Sequence, residues 1–343
     1  MASAERQENN MELRQLRYFL RIVELGSVSK AAKDLYIAQP ALSAQITNLE
    51  SELGVRLLSR SVRGVVPTKS GDTLYLHAQA VLRQIERLQH DVTTTSAIPG
   101  GPVSIGLPTS AANVLAGPLI AAVHEHFPDI QLRIVESLSG HLQELVATGR
   151  LEMSMLFEPC AGELGASHSS SITNVQWQPL IEEELYLISI REHGKDYRAQ
   201  VPMEQAACMR LVLPGKSNVT RQIIDQAFAD AGLALSVMAE LDSLSTIQSI
   251  VETGQAATIL SLSSLVGVGV DKKVTARSVG PSPIRRRLSL CKSEFLGMGD
   301  ATEAVAALIP TIVRELVATE RWTGARLIAE QDAVDKPRVS GPQ

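Results

Sequence analysis

Apolar residues recur at spacings of three and four from Leu13 onward. Leu13, Leu16, Leu20 and Val23 mark one face of a first helix. Gly26 can stop it, and Ser27 can cap the next by accepting from its free amides. That second helix is short and turns Ala31, Ala32 and Leu35 inward, and the adjacent alanines let another helix cross closely. Pro40 falls where a first helical turn tolerates proline, and Leu42, Ile46, Leu49 and Leu53 then form a third stripe that Gly54 ends. Two short apolar runs within Val55–Lys69 flank Arg63-Gly64, which predicts a β-hairpin wing. Beyond it Leu74, Ala78, Val81, Ile85, Leu88 and Val92 alternate spacings of four and three, the a/d seam of helices that pair lengthwise. A lone amphipathic helix packed on its own head would show a similar stripe.

The stretch from Thr93 to Pro102 reads as a hinge, and the period then changes. Strand Val103–Leu107, a helix to Phe127, strand Ile130–Glu136, a helix from Gly140 to Gly149 and strand Met153–Phe157 alternate, which predicts a parallel doubly wound sheet. A second β/α region begins near Leu180 with strand Glu184–Ile190 and helices Asn218–Ala231 and Ser245–Gly254. The chain then crosses back near Ser261, adds strand Arg286–Cys291 and ends in helix Thr302–Thr319. The expected layout is a disordered 1–10, a winged helix-turn-helix head at 11–69, a linker helix at 70–95 and a hinge at 96–102. An α/β body follows at 103–320, with lobe I at about 103–160 and 263–320, lobe II at about 161–262, and a disordered tail at 321–343. The fold class is α/β overall, with an all-α winged head.

Charge narrows the function. The net charge is −5, yet residues 11–95 hold eleven Lys and Arg against eight Asp and Glu, leaving −8 for the rest. A basic head on an acidic body points to nucleic acid met at one end. Aromatic residues are only 3%, which argues against single-strand binding by base stacking. Arg56, Arg60, Arg63 and Lys69 with no acid between them suit phosphates, although a solvated charged turn would look alike. The exposed face of the third helix carries Gln39, Ser43, Ala44 and Thr47, short or amide groups able to approach base edges in a major groove. The polar N-terminus has no signal-peptide core and no apolar run is long enough to span a bilayer, so a cytoplasmic location is expected.

The run Ser27…Ala31-Ala32…Leu35…Ala38-Gln39-Pro40-Ala41-Leu42-Ser43…Ile46…Leu49-Glu50…Leu53-Gly54…Leu57-Leu58…Arg60…Arg63…Thr68…Gly71 resembles the LysR-type transcriptional regulators. Within them, Tyr36–Pro40 and Arg63–Thr68 lie nearest the nitrogen-assimilation-control branch. The resemblance implies a dimerisation linker helix and a two-lobed, periplasmic-binding-protein-like effector domain. It also implies double-stranded promoter DNA as partner, self-association to a dimer or tetramer, and room for RNA polymerase as a further partner. Base-side contacts are expected from Gln39, Pro40, Ser43 and Thr47, and backbone contacts from Ser27, Lys30, Arg60, Arg63 and Thr68.

Thr109 and Ser110 follow a strand and open a helix, an anion-accepting corner that could equally be a simple cap. The resemblance places that turn beside the effector cleft. Ser137 and Ser139 follow the second strand, and lobe II offers Asn218, Thr220, Arg221, Asp242, Ser243 and Thr246. Many relatives carry threonine where this chain has Leu138, which argues against an aromatic carboxylate as ligand.

Other motifs lead nowhere catalytic. Gly215-Lys216-Ser217 lacks the glycine a P-loop needs, since Arg210 stands there. His124 and His126 share no helix face, so no metal is expected. Cys160, Cys208 and Cys291 are far apart; no disulfide is expected, and Cys208 reads as a buried structural thiol. Arg285–Arg287 reads as a solvated strand edge, with a subunit contact as the alternative. The expectation is a non-enzyme without cofactor, a promoter-binding regulator modulated by a small effector. Its competitors are an effector-independent regulator of the nitrogen-assimilation kind, and a small-molecule receptor whose head makes only protein contacts.

Overall fold

The computed structural model describes residues 11–61, 64–93, 98–159, 175–191, 200–266, 274–293 and 298–328. The expected disordered stretches at 1–10 and 329–343, and Cys160, lie outside the described residues. The structure divides into two compact units, residues up to 95 with 148–150, and the remainder.

The first unit is built on three helices, α1 (Leu13–Leu25), α2 (Val28–Asp34) and α3 (Gln39–Leu53). Gly26 and Gly54 close α1 and α3 in the left-handed region, as expected of glycine after a last turn. Leu42, Ile46 and Leu49 of α3 are buried as the stripe predicts. The face of α1 is rotated from expectation: Leu13 is exposed, and Leu16, Phe19, Leu20 and Ile22 enter the core. Phe19 and Ile22 are buried in one cluster with Ala31, Ala32 and Leu42, and Val23 packs against it only partly buried.

Strands β1 (Leu58–Ser61) and β2 (Gly64–Pro67) form the antiparallel wing, with Ser61 opposite Gly64. The predicted turn residue Arg63 lies outside the described residues. Glu50 fixes where the wing begins: its Oε1 accepts from the amides of Leu57 at 2.7 Å and Leu58 at 3.1 Å. Helix α4 (Lys69–Thr93) follows. Its first turn needs Gly71, where a Cβ would stand 2.0 Å from the Leu57 carbonyl oxygen.

The second unit is not the purely parallel sheet expected. Strands β3 (Gly101–Pro108), β4 (Ile130–Ser137) and β5 (Met153–Phe157) are parallel, with helices α5 (Thr109–His126) and α6 (Ser139–Ala147) between them. Gly101 and Pro102, expected in a hinge, already belong to β3. The next strand, β6, is a single run of 16 residues, Val175–Ile190, starting earlier than expected. At about 3.3 Å per residue it spans roughly 50 Å, enough to serve both lobes. Lobe II continues with β7 (Gln200–Val201), α7 (Met203–Ala207), β8 (Leu211–Leu213) and α8 (Val219–Asp230). Then come β9 (Val237–Glu240), α9 (Leu244–Glu252), β10 (Thr258–Ser261) and β11 (Val274–Val279). Strands β10 and β11 flank the second half of β6, both antiparallel. Strand β12 (Arg285–Ser293) returns antiparallel between β5 and the first half of β6. The return crossings run against β6, and this makes the sheet mixed.

Helix α10 (Asp300–Ala318) closes lobe I, where Val305, Ile309 and Val313 meet Ile105, Leu115 and Leu119. In lobe II, Ile224 and Phe228 cover one face of the sheet and Ile247 and Val251 the other. The tail expectation fails for 321–328. Trp322 is 1% exposed, and β13 (Ala325–Leu327) pairs antiparallel with Ile181–Glu183 of β6. Cys208 is exposed at the end of α7 rather than buried; Cys291 is the buried thiol, its pKa pushed well up by burial. No helix among the described residues is long and apolar enough to cross a membrane.

Candidate functional site

On the head, α3 presents Gln39, Pro40 and Thr47 to solvent and leaves Ser43 half-exposed. The Thr47 hydroxyl donates to the Ser43 carbonyl at 3.0 Å, so its lone pairs are left to accept from base amino groups. The Ser27 hydroxyl caps α2 by accepting from Lys30 N at 3.4 Å, and the Lys30 side chain is exposed beside it. Thr68 is more committed than expected. Its hydroxyl donates to the Arg56 carbonyl at 2.7 Å and accepts from Gly71 N at 3.1 Å, holding wing and α4 together. The side chain of Arg60 and all of Arg63 lie outside the described residues.

The heptad stripe of α4 is divided. Leu74 and Ala78 belong to the core of the head itself, while Val81, Leu88 and Val92 are exposed at 42%, 59% and 75%, with Ile85 between. The exposed part of the stripe is therefore the second half of the helix.

In the body, one cleft of about 460 Å³, open mouth included, collects residues from both lobes. Thr109, Ser110, Ser137 and Ser139 come from lobe I, and Asn218, Thr220 and Asp242 from lobe II. Leu138 lines it too. Three nominated residues stand apart from this lining. Arg221 is buried and held by Asp225 at 2.8 Å, Glu240 at 3.0 Å and the Pro214 carbonyl at 3.1 Å, a structural use of its charge. Ser243 is the cap of α9, accepting from Thr246 N at 3.3 Å and from the Thr246 hydroxyl at 3.0 Å.

The residue that sequence reasoning missed is Arg286. It is 4% exposed, not a solvated edge, and lines the cleft floor. Its Nε and Nη2 donate to Glu183 Oε2 at 2.9 and 2.6 Å. Nη2 also reaches the hydroxyls of Ser110 at 2.9 Å and Ser261 at 2.7 Å, and Nη1 reaches Thr220 at 2.6 Å. The guanidinium carbon sits 3.6 Å from the centre of the Phe157 ring. Burial pushes the Arg286 pKa down and Glu183 opposes it. One cation thus joins the helix start of each lobe.

A signal for this was present. Glu182-Glu183-Glu184 and Arg285-Arg286-Arg287 are complementary triplets, each set between Ile and Leu. The antiparallel register pairs them one to one. Strand alternation then turns only the middle pair inward, leaving Arg287 to meet Glu182 at the surface at 2.9 Å. Among the described residues no group of three or more His, Cys, Asp or Glu could hold a metal ion.

Comparison with known proteins matches both units. Residues 13–72 match the family described as "Bacterial regulatory helix-turn-helix protein, lysR family", and residues 96–311 match "LysR substrate binding domain". The chain is 34% identical over 305 residues to the nitrogen assimilation regulatory protein nac of Klebsiella aerogenes, covering 88% of this chain and 95% of that one. It is 33% identical over 317 residues to the protein of the same name from Escherichia coli (strain K12), covering 91% and 98%. Among solved structures, a full-length single-site variant of OxyR from Pseudomonas aeruginosa matches with a TM-score of 0.66 at 22% identity, covering 89% of this chain and 95% of that one. Full-length CbnR complexed with its target DNA matches with a TM-score of 0.64 at 18% identity, covering 89% and 99%; these two likenesses speak to the fold. With a helix-turn-helix head that shows small polar groups on α3 and a two-lobed body built around a polar cleft, the chain belongs to the LysR family and is a DNA-binding transcriptional regulator.

Proposed function

We propose that this regulator reads promoter DNA through Gln39, Pro40, Ser43 and Thr47, with Ser27, Lys30 and the wing arginines Arg60 and Arg63 on the backbone. It pairs through the exposed half of α4 and assembles further to a tetramer. It acts in the cytoplasm as a non-enzyme, and a small effector in the interlobe cleft modulates its grip on the promoter. The observation that carries this reading is the convergence of seven nominated polar residues from two lobes on one cleft. The chemistry of the effector follows from the hydroxyls. Ser110 and Thr220 already accept from Arg286, so each is left to donate, and the amides at the starts of α5, α6 and α8 add further donors. A small ligand rich in acceptor oxygens suits such a lining. A panel of such compounds should raise the melting temperature of the protein and change its gel retardation of promoter DNA, with both effects lost in Ser110→Ala.

A second reading, a regulator that needs no effector, is favoured by one observation: Arg286 by itself ties Ser110 of one lobe to Thr220 of the other. It predicts full promoter activity in purified transcription with no additive and no melting shift across the panel. The names of the two nac relatives support control of nitrogen-assimilation genes. Transcript profiles of a deletion strain under nitrogen limitation test that.

A further inference from the structure

The carboxylate that pairs with the cleft cation also meets the C-terminal segment. After α10 the chain turns back through two left-handed residues, Glu320 at φ 58° and Gly324 at φ 78°. A Cβ at Gly324 would approach the Tyr186 ring to 3.2 Å, so the turn is held close against β6. Between these turns Trp322 enters the core, and its Nε1 donates to Glu183 Oε1 at 2.7 Å. The same oxygen accepts from the Ser263 hydroxyl at 2.6 Å, so Oε1 is fixed by two donors and Oε2 is left to Arg286. The segment is then strapped along β6. Glu184 N donates to the Gly324 carbonyl at 3.0 Å, Ile328 N to the Leu180 carbonyl at 3.1 Å, and Arg326 meets Glu182 at 2.6 Å. This is the end of the stretch of β6 that β12 also pairs, from Val175 to Glu184, just before Leu185–Ile190, which β10 and β11 pair.

We propose that Trp322 is a positioning residue of the interlobe cleft, acting through Glu183 to hold Arg286 across the starts of α5 and α8. Each fixed donor on Oε1 narrows the rotation open to the carboxylate and to the cation that follows it, and without the Trp322 N–H only Ser263 holds that oxygen. The C-terminal strap is thereby linked to both lobes without touching the cleft lining. The proposal concerns bonds among the body's own side chains, so it stands apart from whether an effector binds.

Hydrogen exchange read by mass spectrometry on the full-length protein tests it. Trp322→Phe keeps a large ring in place and removes only the N–H donor. Amides at 110–113 and 220–223 should then exchange about tenfold faster, while those of β3 and of α10 before residue 316 stay as in the parent. Arg326→Ala, which loosens the strap at its surface, should leave both helix starts unchanged. Faster exchange confined to 320–328 in Trp322→Phe would overturn the proposal. So would a uniform rise across the body, which reports general destabilisation, or an equal effect of Arg326→Ala. The unaltered binding of promoter DNA by the head would serve as the check that the protein is otherwise intact.

Discussion

The two units present polar groups in opposite ways. In the head, Gln39, Pro40 and Thr47 stand on one exposed helix face, drawn from nine consecutive residues and mostly uncommitted. In the body, the polar network beneath the cleft is buried and almost wholly committed, and its members come from β6, β10, β12, α5, α8 and the residues after β10 and α10. A duplex is a large charged surface met from water, and small hydrated groups on an exposed helix face suit the proposed exchange of water for base edges. A charge taken out of water must be matched on every side, so the body spends its hydroxyls on its own arginine. An exposed site of this kind loses function contact by contact, whereas a buried network fails as a unit.

The largest effect should come from breaking the buried pair. Arg286→Ala leaves Glu183 uncompensated and should cost about 3–5 kcal/mol in urea unfolding of the body. The double variant Glu183→Gln with Arg286→Met removes both charges and should recover most of that loss. Additive single and double losses would mean that the pair is not a unit.

Next comes the seam. Leu88 is exposed, so Leu88→Glu should not disturb the fold of the head but should put two carboxylates against each other in a pair. Sedimentation should show monomers, and affinity for a full operator should fall towards that for a half-site, on the order of 100-fold, as the tethered partner is lost. A dimer that persists would move pairing to the other elements.

Within the exposed site, effects should be smaller and separable. Ser43→Ala or Gln39→Ala should cost about 1–3 kcal/mol on the operator and little on random duplex. Lys30→Ala should weaken both alike and flatten the salt dependence by about one unit. Equal losses on both duplexes for Ser43→Ala would make α3 a positioning element only.

The smallest effect expected is an acid loosening of the strap. Burial raises the Glu182 pKa, but Arg326 and Arg287 outweigh it and hold the carboxyl below its ordinary 4.5. A depressed carboxylate stabilises the fold above its unfolded pKa and loses that contribution as pH falls through the folded value. Protection at Ala325–Leu327, taken relative to the intrinsic exchange rate at each pH, should therefore fall below about pH 4.5, and Glu182→Gln should show that lower protection already at neutral pH.

The head was legible because its determinants are local. Helix stripes, the caps at Gly26, Ser27 and Gly54 and the wing's apolar runs act within a few residues, and their spacing is written in the chain. Even there the face of α1 was rotated: Phe19 and Ile22 are fully buried in the cluster with Ala31 and Ala32, Val23 is only partly buried and Leu13 is exposed. The division of the α4 stripe likewise depends on how far the head's core reaches along it, which no heptad count contains.

In the body, the sequence by itself determined that helices alternate with strands, and which strand ends and helix starts carry hydroxyls. Tertiary structure decided the rest. Whether Arg286 meets water or Glu183 depends on the register between strands about a hundred residues apart. A one-residue slip would turn that side chain to the other face. Trp322 was legible only as part of a polar tail, since nothing nearby in sequence offers its N–H a buried acceptor. Its partner is supplied by β6, 139 residues earlier, and only the folded sheet brings the two together.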